Sequence, residues 1–204
     1  VPADPGSDEL FVAIQSAFEL LDAKARAESR GKWLNRYRYE LGELIEIAKA
    51  ITTEREIDKL LGLILEKSRF ITGADAGSIY VVEGEGEPYA KLLRFKLSQN
   101  DSVNYDSSEF VMPISTRSIA GSAAVGKKAI NIADVYDLPA GSPFGFDRSF
   151  DQRMGYRTKS MLTVPLISQR DEVIGVIQII NKKKVPERKL YSQEDVDELV
   201  VPFD

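Results

Sequence analysis

The side chains that could do chemistry in this chain are carboxylates, hydroxyls, amides and cations, because its 204 residues include no cysteine and no histidine. Thiolate catalysis, disulfides, the usual zinc ligand sets and histidine-ligated haem are therefore excluded within it, and so is a histidine general base. Paired carboxylates could still perform acid–base chemistry, but the predicted strands carry no such pair beside an obvious cleft. The sequence therefore argues against catalytic activity in this chain.

One polar side chain interrupts an apolar segment. Gln178 lies in the run Val-Ile-Gly-Val-Ile-Gln-Ile-Ile-Asn at 173–181, whose β-branched residues indicate a central strand. A buried amide needs hydrogen-bond partners, which either neighbouring strands or a ligand can supply. We therefore expect Gln178 to face an internal partner or a ligand.

The stretch around Gln178 also contains the main positioning elements. Two apolar runs at 161–167 and 173–184, joined by a charged turn, predict a β-hairpin at the centre of a sheet. The preceding segment at 134–159 is too polar and too rich in glycine and aspartate for a core. A long connection that carries aromatic residues beside a sheet is typical of a lid over a pocket. Its aromatic residues are Tyr136, Phe144, Phe146, Phe150 and Tyr156.

The remaining elements follow from periodicity. Apolar residues at helical spacing predict helices at 9–21, 34–51 and 56–72, and small residues predict a short one at 119–126. Strand patterns occur at 76–83, 89–97, 110–114 and 129–132. A capping-box pattern at Ser192 predicts a last helix that extends to residue 201. Mostly antiparallel strands with helices gathered at both ends predict an α+β domain.

Composition and charge limit the partners. The longest apolar runs are far shorter than the roughly 20 residues that a membrane helix needs, so no membrane span is expected in this segment. The net charge is −5 and the basic residues are scattered, which argues against nucleic acid. The one basic cluster, Lys182 to Lys184, is expected to be a solvated strand edge. We expect a cytoplasmic protein.

The N-terminal region is predicted to serve association. We expect a lead-in and amphipathic helix at 1–33 and a sheet domain at 34–204, with 192–204 as the start of a C-terminal helix. The apolar stripe of the first helix has no clear place in the sheet domain. We predict that it packs against its own copy in a homodimer, the alternative being that it folds back on its own domain. The ends of the chain favour a fragment of a longer protein with an attached output domain.

Four motifs in order carry a family resemblance. They are Ile119-Ala120-Gly121, NIADVY at 131–136, MGYRTKSMLTVPL at 154–166 and EVIGVIQIINK at 172–182. This succession resembles the GAF domains that bind cyclic nucleotides in phosphodiesterases and bacterial adenylyl cyclases, and the resemblance covers about 41–200. It implies a GAF-like central antiparallel sheet of about six strands, helices on both faces and a preceding N-terminal helix. It also implies a regulatory sensor, often a parallel dimer, that has no cofactor and takes cAMP or cGMP as its ligand.

The resemblance implies ligand contacts on the floor and wall of a pocket. Ser78 would meet the purine edge, and Gln178 would line the floor. Ile119 and Ala120 would offer backbone N–H groups at a helix start, where a cyclic phosphate binds well. The plain alternative for Ser78 is a strand residue whose hydroxyl is satisfied internally.

The lid would supply three further contacts. Tyr136 would close over the phosphate or ribose, with packing in the core or lid as its plain alternative. Asp151 and Thr158 would lie along the lid, and the alternative for Asp151 is that it only solvates the loop. The plain alternative for Thr158 is likewise a strand residue whose hydroxyl forms its hydrogen bonds internally. Where some cyclic-nucleotide binders have threonine in the lid, this chain has Met154, which removes a hydroxyl.

Ligand-binding members of the family also carry a signature of Asn-Lys, a gap, Phe, three residues and Asp-Glu. Here Asn181 and Lys182 match, Tyr191 occupies the Phe position, Asp195 matches and Val196 replaces the Glu. The resemblance implies that these residues support the pocket from outside through a Lys182–Asp195 ion pair.

These observations predict a sensor domain of a larger signalling protein. It would bind a cyclic nucleotide under the 134–159 segment and signal through dimer helices. The alternative is a ligand-free dimerisation module, which Val196, Met154 and a pocket-refilling insert at 137–147 would favour. Neither a GAF-type methionine sulfoxide reductase, which needs cysteines, nor a bilin-binding photoreceptor domain fits this composition.

Overall fold

The computed structural model describes residues 56–105 and 108–203, together with 24, 30, 31, 34, 37, 38, 41, 42, 45 and 46. The chain divides into two compact units, Val1–Lys49 and Ala50–Asp204. Within the first unit the described residues are helical, and those from 34 onward agree with the predicted second helix. The helix predicted at 9–21, on which the homodimer prediction rests, lies outside the described residues. The predicted division at residue 33 stays a prediction.

The second unit is built on one antiparallel sheet. Its strands are β1 (Ala74–Glu83), β2 (Leu92–Asn100), β3 (Phe110–Pro113), β4 (Ile130–Ile132), β5 (Met161–Ile167), β6 (Val173–Lys183) and β7 (Val200–Val201). Their order across the sheet is β3-β2-β1-β6-β5-β4, and β7 pairs with the end of β6. The helices are α1 (Ile57–Thr72), α2 (Ile119–Gly126), α3 (Ser149–Met154) and α4 (Gln193–Leu199). The predicted α+β class is confirmed, with one short strand more than the six expected.

Helix α1 packs on one face of the sheet and ends where the sequence predicted. Gly73 adopts a left-handed conformation with φ of 69°, and its N–H bonds to the carbonyls of Arg69 and Phe70. Glycine adopts this conformation without strain, which is why the chain can turn directly into β1. The apolar cluster on this face comprises Leu65, Ala74, Ile79, Ile177, Ile179 and Phe203.

Helix α2 packs on the opposite face of the sheet. Its small residues Ala120 and Ala124 let the helix approach the strands, where they contact the buried cluster around Tyr80, Phe95 and Val176. Because side chains alternate along a strand, the residues of β6 that share this face with Val176 are Gln178 and Ile180. The face carrying α2 is therefore the one that holds the polar side chain singled out in the sequence.

Three local features differ from the sequence predictions. The predicted strand at 89–97 begins instead with a 3-10 turn at Pro88–Ala90, so β2 starts at Leu92. The segment at 134–159, which we call the lid segment, contains the unpredicted helix α3. The last helix stops at Leu199, because the next two residues pair with β6 as β7.

Candidate functional site

A cavity of about 1000 Å³ lies between the α2 face of the sheet and the lid segment. Strands β1, β2 and β6 contribute its floor, the start of α2 forms a wall, and α3 with its flanking residues forms the roof. Six predicted contact residues line it: Ser78, Ile119, Ala120, Asp151, Thr158 and Gln178. Met154, the lid position where the sequence departs from some nucleotide binders, lines it as well.

A row of polar side chains crosses three strands of the sheet, and two of its members, Ser78 and Gln178, line the floor. Ser78 on β1 pairs in register with Gln178 on β6, which pairs with Thr163 on β5. The amide Nε2 of Gln178 lies 3.2 Å from Thr163 Oγ1 and 3.4 Å from Met161 Sδ. Gln178 is 7% exposed, and within the described part of the chain its Oε1 accepts no hydrogen bond. The floor therefore presents a hydrogen-bond acceptor that a bound molecule can satisfy.

The wall of the cavity is a helix N-terminus. Ser118 caps α2 by accepting a hydrogen bond from the N–H of Gly121 at 3.0 Å. In any α-helix the first N–H groups lack intrahelical partners, and here the first two helical residues, Ile119 and Ala120, border the cavity. The lid segment meets this helix start directly, since Gly145 donates its N–H to the carbonyl of Arg117 at 3.0 Å. This corner of the cavity is suited to an anionic group.

The roof is held in place by a buried carboxylate. Asp151 on α3 is 3% exposed and accepts three hydrogen bonds. They come from the backbone N–H of Thr158 at 2.8 Å, its hydroxyl at 2.8 Å and the hydroxyl of Tyr136 at 2.9 Å. Because both of its oxygens are engaged internally, Asp151 fixes the shape of the lid segment.

Tyr136 requires a correction, because it lies behind the roof and not over the large cavity. It lines a smaller cavity of about 320 Å³ between the lid segment and α4. The guanidinium carbons of Arg148 and Arg157 lie 4.2 Å and 3.7 Å from its ring centroid. Burial, followed by the hydrogen bond to Asp151, raises the pKa of Tyr136. Its role in this structure is to orient Asp151.

The predicted ion pair between Lys182 and Asp195 does not form in this structure. The Asp195 carboxylate instead caps α4, accepting from the backbone N–H groups of Tyr191 and Ser192 at 3.0 Å each. These backbone hydrogen bonds lower the pKa of Asp195, and the one from Tyr191 has the largest effect. Its ion-pair partner is Arg188, at 3.5 Å. Tyr191, at the Phe position of the signature, is 75% exposed.

The buried lysine is Lys183, one residue after the predicted Lys182. Lys183 Nζ lies 3.0 Å from Asp75 Oδ1, and both side chains are almost completely buried. The prediction of a solvated edge at Lys182 to Lys184 is therefore wrong for Lys183. Asn181 contacts the lid segment, because its Nδ2 donates to the carbonyl of Arg157 at 2.8 Å.

Sequence reasoning missed several residues that build this region. They are Asp75, Lys183, Ser98, Asn100 and Tyr105. A usable signal was present for Asp75, a carboxylate beside an apolar strand pattern, because such a group must find a partner. No comparable signal marked Tyr105, whose hydroxyl lies 2.6 Å from Ser98 Oγ at the cavity rim.

The buried phenol of Tyr80 makes stability sensitive to alkaline pH. Burial raises its pKa to about 12 from an ordinary value of 10.0. The neutral phenol therefore stabilises the fold below pH 10, and this contribution is lost as the pH rises toward 12, because the unfolded chain ionises first. We expect Tyr80→Phe to remove about 2 kcal/mol of the loss of stability between pH 8 and pH 11.5. Urea unfolding of both proteins at pH 8 and pH 11.5 measures it, and equal losses would contradict the burial of this hydroxyl.

The family model of the GAF domain matches residues 56–200. The chain therefore belongs to the GAF family of regulatory domains, which confirms the resemblance found in the sequence. Similar proteins include the cGMP-specific 3',5'-cyclic phosphodiesterases of Drosophila pseudoobscura pseudoobscura and Drosophila melanogaster. Each is 33% identical over 149 residues, which cover 69% of this chain and 13% of the relative. The chain thus matches only a small part of those enzymes.

Solved structures support the fold. The A. aeolicus nlh2 GAF domain, described as being in an inactive state, gives a TM-score of 0.54 at 17% identity and covers 79% of this chain and 86% of that one. The GAF domain of a Coxiella burnetii phosphoenolpyruvate-protein phosphotransferase gives 0.54 at 17% identity, covering 78% and 85%. In the described part of the chain, no helix combines the length and apolar character needed to cross a membrane.

Proposed function

We propose that this GAF domain is a sensor that binds a cyclic nucleotide in the large cavity and regulates an output domain of a longer protein. The similar phosphodiesterases are specific for cGMP, so cGMP is the first candidate and cAMP the second. A purine on the polar floor and a cyclic phosphate at the start of α2 would use both ends of the cavity. In the full-length protein, which we place in the cytoplasm, a homodimer would pass the signal to the output domain.

The observation that carries this proposal is the Oε1 atom of Gln178. The side chain is only 7% exposed, and because the described residues give this acceptor no partner, water or a ligand in the open cavity can meet it. Guanine offers N–H donors on its edge, and the amino group of adenine offers one too. Directly across the strand pair, Ser78 adds a hydroxyl that can donate or accept.

The packing of the insert at 137–147 also supports a ligand-binding domain. Its residues Leu138, Phe144 and Phe146 pack against the cluster that contains Ile119 and Val135. Of these three insert residues only Phe146 borders the cavity, whose volume remains about 1000 Å³. This volume lies at the upper end of the roughly 300–1,000 Å³ found for small-molecule pockets.

Isothermal titration with cGMP and cAMP tests the proposal. We expect micromolar binding to the wild type and a weakening of roughly 5- to 150-fold in Gln178→Leu, because a buried purine donor left unpaired costs about 1–3 kcal/mol. The matched control is Gln152→Leu, an exposed glutamine of α3 outside the large cavity, which we expect to change affinity by about twofold or less. Equal weakening in the two variants would place the ligand elsewhere.

A ligand-free dimerisation module is the second candidate. The described apolar residues of the first unit are exposed at helical spacing, with Leu34 at 47%, Tyr37 at 52%, Leu41 at 42% and Ile45 at 49%. Such a stripe favours helix association. If the wild type shows no heat and no shift in melting temperature at millimolar cGMP or cAMP, this second candidate replaces the sensor.

A further inference from the structure

A buried ionic network lies beside the cavity, at the start of β1. Its centre is Asp75, which is 0% exposed. Oδ1 of Asp75 lies 3.0 Å from Lys183 Nζ and 2.7 Å from Ser102 Oγ, and Oδ2 accepts a hydrogen bond from the hydroxyl of Tyr156 at 2.8 Å. Every oxygen of this buried carboxylate therefore depends on a named partner.

One end of the network reaches the last turn of α1. Arg69 donates from Nη2 to the backbone carbonyl of Asp75 at 2.8 Å and forms an ion pair with Asp101. Lys183 Nζ lies 3.6 Å from Asp101 Oδ2, so the two carboxylates and two cations form a connected and neutral set. Arg69 therefore connects the network around Asp75 to the last turn of α1.

The other end of the network is part of the roof of the cavity. Tyr156 directly follows the turn that ends α3, and its backbone N–H bonds to the carbonyl of Asp151 at 3.1 Å. Its ring borders the cavity and stands edge-on to Phe150, with centroids 6.2 Å apart. Its hydroxyl is shared between Asp75 and Asn181 Nδ2, the latter at 3.0 Å. Tyr156 is thus the residue that touches both the cavity and the network.

We propose that Tyr156 and Asp75 are positioning residues that couple the lid segment to the last turn of α1. When Tyr156 moves away from Asp75 together with the roof, Asp75 loses a hydrogen-bond donor. Water cannot replace this donor without opening the core, so the network rearranges and the contacts of Arg69 weaken. A molecule in the cavity that holds Tyr156 in place orders the end of α1 by the same contacts. Only this ligand-dependent part rests on the proposed function; the coupling itself belongs to the fold.

Hydrogen exchange of the ligand-free protein tests the coupling. We expect Tyr156→Phe to accelerate exchange of the amides at 69–73 by about tenfold, the size expected from losing one hydrogen bond to a buried charge. The matched control is Tyr105→Phe. Tyr105 also borders the cavity and packs edge-on to Phe150, but its hydroxyl bonds to Ser98. We expect this control to leave 69–73 within about twofold of the wild type.

Each other result overturns the coupling. Unchanged exchange at 69–73 in Tyr156→Phe would show that the hydroxyl does not reach α1. Equal acceleration in both variants would assign the effect to the aromatic roof in general. A uniform rise that includes the amides of β5 would assign it to global stability.

Saturating cGMP separates this proposal from the proposed function. We expect cGMP to slow exchange at 69–73 in the wild type and in Tyr105→Phe, while in Tyr156→Phe it slows exchange only in the lid segment. Slowing at 69–73 in Tyr156→Phe as well would contradict the coupling. If titration shows that neither cGMP nor cAMP binds, the proposed function fails, and the ligand-free comparison still decides the coupling.

Discussion

Replacing Lys183 by methionine is expected to lower the free energy of unfolding by about 3–5 kcal/mol, because it leaves a buried carboxylate without its cation. The side chains of Lys183 and Asp75 are 1% and 0% exposed, so water cannot take over the role of the ammonium group. Methionine keeps most of the volume of the lysine stem, which limits the loss of packing. Urea unfolding monitored by circular dichroism measures the change.

The neighbouring lysine provides the control. Lys182→Met removes the same charge from the same strand, at the position that the family signature indicates, and is expected to cost about 1 kcal/mol or less. The double variant Asp75→Asn, Lys183→Met removes both charges, and we expect it to be more stable than Lys183→Met alone. A larger loss in Lys182→Met than in Lys183→Met would contradict the structure and restore the assignment made from the sequence.

The sequence could not decide which of the neighbouring residues Lys182 and Lys183 is the buried one. Successive residues of a strand point to opposite faces, so a shift of one position exchanges a buried lysine for a less buried one. The motif located the lysines but carried no information about Asp75, which is distant in sequence and meets Lys183 only because β1 pairs with β6. The burial of Lys183 is therefore a tertiary property.

Elements with local signals were predicted well. The hairpin of β5 and β6 follows from two β-branched runs around a charged turn, and α2 follows from small residues after the cap Ser118. Helix α3 has only six residues, too few for periodicity to be recognised. It starts beside Asp147, whose Oδ1 accepts the N–H of Ser149 at 2.9 Å, a contact that also occurs in loops without a helix.

The sequence predicted most of the residues that line the cavity, but not how the lid segment is arranged around it. Alternation along β1 and β6 places Ser78 and Gln178 on one face, so their joint presence on the floor follows from the strand pattern. The position of Tyr136 depends on the path of the lid segment, which no periodic pattern describes. Its hydroxyl lies 2.9 Å from Asp151 Oδ2, although the two residues are 15 positions apart in the sequence.

Replacing Gly121 by alanine is the second substitution expected to have a large effect, and the reason is space. A Cβ atom at Gly121 would lie 2.1 Å from the carbonyl oxygen of Ser115 and 2.7 Å from its backbone nitrogen. These atoms belong to the backbone, so they cannot rotate away as a flexible side chain does. We expect a loss of about 3 kcal/mol or more in the free energy of unfolding.

A second glycine of the same helix is the matched control. Gly126 ends α2, and a Cβ atom added there meets nothing within 4 Å among the described residues. Gly126→Ala is therefore expected to be neutral or to stabilise by up to about 1 kcal/mol, since alanine restricts the unfolded chain. Urea unfolding of the two variants should thus give changes of unequal size and, in the clearest case, of opposite sign.

Gly121→Ala also bears on the cavity, because the same crowded turn positions the start of α2. The N–H of Gly121 bonds to Ser118 Oγ at 3.0 Å, and this cap fixes the helix start whose residues Ile119 and Ala120 border the cavity. Moving Ser115 to admit a methyl group would displace the cap, so any affinity for a cyclic phosphate should fall together with stability. If Gly121→Ala is as stable as the wild type, the backbone at 115–118 can shift to admit the methyl group at little cost. The close approach at Gly121 would then not be needed to position the start of α2.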